Sequence, residues 1–132
     1  MRFSMPNFPC EFELPDEWWI EAGMHNFVRT TPCFTSKDAE ASVLLTKIEP
    51  PFRHPTVTKD WNGFDRDRLV RVLSGISNSV DMPPVNVASR TDPGSPYLYR
   101  VRDGYHRFYA SVAAGFDKLP AIITETPNPD EF

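Results

Sequence analysis

Arg102-Asp103-Gly104-Tyr105-His106-Arg107-Phe108-Tyr109-Ala110 is the stretch on which the reading of this chain turns. Before it stands Tyr97-Leu98-Tyr99-Arg100-Val101, a run of β-forming residues. After it, Phe108 to Ala114 is apolar, ends in small residues and stops at Gly115. Together they predict a strand, a tight Asp-Gly turn and the opening of a helix. The first N–H groups of a helix have no partner within it, and here basic side chains stand among them. The turn is therefore a candidate site for an anion such as phosphate.

The flanks extend this pattern. Leu119-Pro120-Ala121-Ile122-Ile123-Thr124 predicts a last strand, and the polar tail from Pro127 a loose end. Upstream, Val85 to Ser89 is entered through Pro83-Pro84 and followed by the turn Asp92-Pro93-Gly94-Ser95. It is predicted to pair with Tyr97–Arg102 as a hairpin. Phe64 to Ile76 predicts a helix, with Asp65 as N-cap and Leu69, Val72, Leu73 and Ile76 on one face. Arg66, Arg68 and Arg71 fall off that stripe; a solvated charged face is expected of them, with phosphate contact as the alternative. Ala41 to Ile48 predicts a strand that stops at Pro50-Pro51. Nearer the start, Phe8, Cys10, Phe12 and Leu14 alternate, with Glu11 and Glu13 between, as in a half-buried strand. Asp16 to Gly23 carries the start and stop signals of a short helix, whose Trp18 and Trp19 suit core or dimer packing. Residues 24–41 show no period and predict a loop with a strand near Phe27.

The chain has 132 residues, 40% hydrophobic and 13% aromatic, which fits one domain with one core. Its formal net charge of −4 disfavours direct DNA binding. No apolar run reaches the roughly 18 residues of a membrane helix, and the first residues lack the apolar core of a signal peptide. The spacing of Cys10 and Cys33 suits neither a zinc site nor a disulfide framework. These features predict a soluble cytoplasmic protein. Fourteen prolines punctuate the chain into short elements. His25 and His54 have no metal-ligand spacing, and no Ser/His/Asp set or carboxylate pair follows from spacing.

The order of these elements resembles the ParB/sulfiredoxin superfamily over roughly residues 43 to 125. The resemblance is carried by Asp103-Gly104-Tyr105-His106-Arg107-Phe108-Tyr109-Ala110, by Gly115 and the strand Leu119 to Ile123 at the family's spacing, by the helix Arg66 to Ile76, and by Met82-Pro83-Pro84-Val85-Asn86-Val87. It implies an α+β fold, a ParB/sulfiredoxin-like mixed sheet with packed helices. Residues 43–132 would form that domain, and residues 1–42 an N-terminal extension packing on the core, in one structural domain overall. It implies a phosphate or nucleotide pocket built from Asp103, Gly104, Tyr105, His106 and Arg107, with Arg53 as a second basic group. CTP or ATP with Mg²⁺ is the ligand the family suggests, and Asp103 and Asp65 are the acids that could stand near the metal. Sulfiredoxins carry a reactive cysteine where this chain has Tyr105. A tyrosine cannot replace a low-pKa thiolate, so sulfiredoxin activity is not expected. ParB proteins continue into a helix-turn-helix domain that the present sequence lacks. Two classes stay open: a nucleotide- or phosphate-binding module, including a ligand-gated homodimer, and an enzyme of the same fold, either phosphotransferase or nuclease.

Overall fold

Short β-forming runs and two amphipathic segments produce an α+β structure, described by a computed structural model for residues 1–6, 10–52, 63–90 and 92–124. Along the chain, β1 (Arg2–Ser4) and β2 (Glu11–Glu13) pair as an antiparallel ribbon. Then come α1 (Asp16–Glu21), β3 (Ala41–Leu44), β4 (Ile48–Glu49), α2 (Arg66–Ser77), β5 (Val85–Ser89), β6 (Tyr99–Asp103), α3 (Tyr105–Ala113) and β7 (Lys118–Thr124).

Five strands form one mixed sheet in the order β3-β7-β5-β6-β4. β5 and β6 are the expected antiparallel hairpin, with Val87 opposite Val101 and a bulge after Asn86. β7 lies parallel to β5 on its other side, Val85 opposite Ala121. α3 is therefore the crossover that carries the chain from one flank of β5 to the other. Its far end closes with two reverse bonds, Gly115 N to Val112 O at 3.1 Å and Phe116 N to Ser111 O at 3.1 Å, and Gly115 sits at φ 81°.

The predicted strand Ala41–Ile48 is broken in the middle. Leu45 and Ile48 are both buried, and an i, i+3 pair cannot share one face of a strand. Leu45–Lys47 instead forms a 3₁₀ turn. This has a large consequence, because β3 and β4 are opposite edges of the sheet. Four residue steps from Leu44 to Ile48 reach at most about 14 Å, while four strand spacings of a flat sheet would need about 19 Å. The sheet must curl until its edges approach. No strand forms near Phe27 either. Met24–Asn26 is a 3₁₀ turn, and the Phe27 ring meets Phe116 edge-on at 6.1 Å.

The core joins early and late residues. Phe12 meets Tyr109 edge-on at 5.1 Å and Phe64 at 6.0 Å, and Trp18 is buried. Leu69, Leu73 and Ile76 carry the buried stripe of α2, while Val72 is only half-buried. The last turn of α2 closes as α3 does, by Ser79 N to Ile76 O at 3.2 Å and Val80 N to Gly75 O at 2.9 Å. Here the left-handed position is Ser79, at φ 54°. Among the described residues no helix is long and apolar enough to cross a membrane.

The end of α2 yields a test. Ser79→Gly relieves a left-handed conformation costing about 1–2 kcal/mol and adds about 0.5–1 kcal/mol of unfolded-state entropy. Denaturant titration should show a net gain of about 0.5–1 kcal/mol.

Candidate functional site

The junction of β6 and α3 is a corner without a loop. Asp103 ends the strand, Gly104 is the helix N-cap and Tyr105 begins the helix. Gly104 has φ 116° and is buried. A Cβ at this position would lie 2.8 Å from Val85 Cγ1 and 2.9 Å from Cγ2. Glycine is thus required twice, by the backbone angle and by the approach of β5. No side chain caps this helix start, the Asp103 carboxylate included. The Asp103 side chain is 83% exposed at the rim.

Arg107 turns back from the corner. Its Nη1 donates to Pro83 O at 2.7 Å and to Pro84 O at 2.9 Å, and its Nη2 stands 3.7 Å from Asp103 Oδ2. The two prolines that lead into β5 have no N–H of their own, and their carbonyls find this guanidinium as donor. Burial lowers the pKa of Arg107 and Asp103 opposes the shift; an arginine stays charged through such a change.

His106 points the other way, toward α2. Its Nε2 accepts the backbone N–H of Asp65 at 3.0 Å. Asp65 Oδ1 in turn accepts Arg68 N at 3.0 Å, the N-cap bond of α2. Burial lowers the pKa of His106, the Asp65 carboxylate raises it, and Arg68 lowers it. Tyr105 packs beside it, its ring 5.1 Å from the imidazole and 4.9 Å from Tyr109. Tyr109 OH donates to Pro51 O at 2.6 Å, which ties the residues before Phe52 to α3.

Between α2 and this corner lies a cleft of about 630 Å³. Asp103, Gly104, Tyr105, His106 and Arg107 form one wall, and Arg68, Arg71 and Val72 the other. Phe52, 75% exposed, stands at the rim. Arg53 lies outside the described residues, as do His54 and the tail from residue 125. The five consecutive candidates from the sequence therefore share one cavity. Arg68 and Arg71 are exposed, as expected of a solvated face, and they also line this cavity. Their spacing of three along a helix put them on one side, but only the packing of α2 against α3 shows which side that is. Arg66 points elsewhere and pairs with Glu21, and with Asp67 at 3.0 Å. Among the described residues neither Arg68 nor Arg71 has a side-chain hydrogen bond or ion pair. No group of three or more metal-ligating side chains occurs among the described residues.

No protein-family model matches the chain, and no curated protein matches it.

Two substitutions separate backbone geometry from side-chain function at this corner. Gly104→Ala should lower stability by about 2–4 kcal/mol, the sum of a forced positive φ and the collision with Val85. Arg107→Ala should cost about 1.5–3 kcal/mol by leaving the Pro83 and Pro84 carbonyls without their charged donor. Both effects are read as shifts in denaturation midpoint without ligand.

Proposed function

We propose that the cleft binds a phosphate-bearing small molecule, with a nucleotide such as CTP or ATP, accompanied by Mg²⁺, as the fitting class. The observation that carries this reading is the pair Arg68 and Arg71, unpaired among the described residues and facing the uncapped start of α3 across one cavity. Arg29 pairs with Asp117 at 2.6 Å and Arg90 with Glu49 and Asp92; Arg2, Arg100 and Arg102 have no acid partner among the described residues either, but they do not line this cavity. Two arginines without acids among the described residues, beside the positive end of a helix, favour an anion. A volume of about 630 Å³ lies in the range of small-molecule pockets and exceeds what bare phosphate fills. The exposed Phe52 ring at the rim offers a surface on which a base can stack.

This reading agrees with the resemblance to the ParB/sulfiredoxin superfamily, in which a Gly-x-x-Arg turn cradles phosphates. Gly104 and the N–H groups after it would meet the ligand. Arg107 would hold the corner in place for them, and Arg68 and Arg71 would supply the positive charge. The protein would work in the cytoplasm, in keeping with two free thiols, Cys10 and Cys33.

Calorimetric titration of CTP and ATP, with and without Mg²⁺, tests the proposal. Arg68→Ala and Arg71→Ala should each weaken binding about tenfold, near 1.4 kcal/mol, and binding should weaken as salt rises. Affinity equal to that of the unaltered protein in both variants would overturn the assignment.

A further inference from the structure

We propose that His106 is a proton-operated latch that holds the first turn of α2 against α3. A backbone N–H can only donate, so the 3.0 Å bond from Asp65 N to His106 Nε2 needs the ring's lone pair at Nε2 and its hydrogen on Nδ1. A proton added at Nε2 replaces the acceptor with a donor and sets two N–H groups against each other. The bond then breaks. Its partner is the residue that starts α2: the Asp65 carboxylate caps Arg68 N, so release of Asp65 frees the turn that aims Arg68 into the cleft.

The charged groups around the ring decide when this occurs. From α2 the ring is met by Asp65 and Arg68, with Arg71 one turn further along the cleft wall; from its own side come Asp103 and Arg107. Among the groups that act on the ring only Asp65 favours the proton. Burial, the largest influence, and Arg68 both oppose it. The latch is therefore shut at neutral pH and opens as pH falls below the midpoint of a free imidazole. The rings of Phe64 and Tyr105 pack 6.2 and 5.1 Å from the imidazole. The inference does not depend on what the cleft binds.

The test is an NMR titration of the full chain from about pH 8 to about pH 5, following the histidine rings and the backbone amides. The Asp65 and Arg68 amides should move, and Asp65 should lose hydrogen-exchange protection, with the midpoint of the His106 ring and below about 6.5. Amides of β5 and β7 should hold still through that step. In His106→Gln the side-chain oxygen can accept the same bond without titrating, and the Asp65 amide should stay in place throughout. An Asp65 amide indifferent to the His106 midpoint, a loss of all native signals at that midpoint, or the same movement in His106→Gln would each overturn the proposal. Should the variant not fold, the agreement or disagreement of the two midpoints in the unaltered chain decides.

Discussion

A Cβ on residue 104 would stand 2.8 Å from Val85, so the corner between β6 and α3 presses on the central strand more closely than any side chain allows. The rest of the molecule is arranged around that contact. It sets the angle at which α3 leaves the sheet, and hence the path by which the chain crosses β5 to add β7 on the far side. Arg107, three residues into the turn, grips the carbonyls of Pro83 and Pro84 from within α3. The same guanidinium thereby fastens the start of β5 to the helix that passes over it.

The cleft follows from this geometry together with a second contact. Once α3 is placed, His106 and Phe64 bring the start of α2 beside it. Arg68 and Arg71 then share a cavity with backbone that is positive in its own right. Like charges gathered in one place lower stability unless an anion joins them. Surface ion pairs of the kind Arg66 and Arg90 make are worth little each, so what matters is that Arg68 and Arg71 stand in the same cavity as the start of α3. The aromatic rings behind the cleft are shared with β2 through Phe12, which is how the first residues reach the wall of a site formed by α2 and the start of α3.

Much of this could be read in advance where one local rule acted alone. The Asp65 cap, the α2 stripe, the β5–β6 hairpin, the Gly104 turn and the Gly115 stop each depend on residues within a few positions of one another, and each stands in the structure. The reading failed where burial from elsewhere competed with local preference. Ala41–Ile48 has strand composition throughout, yet Leu45 and Ile48 both find the core, and a 3₁₀ turn is the backbone that lets them. Phe27 looks like a strand residue in isolation, and its partner is Phe116, distant in sequence.

The sequence by itself therefore determined the class of fold, the place of the strand–turn–helix corner and the five consecutive residues that meet at one cavity, since backbone dihedrals and N–H groups depend on neighbours in the chain. Only the tertiary structure decided what the side chains do there. Arg107 and His106 are adjacent in α3, and nothing local tells that one grasps a pair of proline carbonyls and the other the start of a second helix. Nor does anything local tell that Arg68 and Arg71, rather than Arg66, face the cavity. Those assignments depend on the packing of α2 against α3, which is set by the summed burial of residues from every part of the chain.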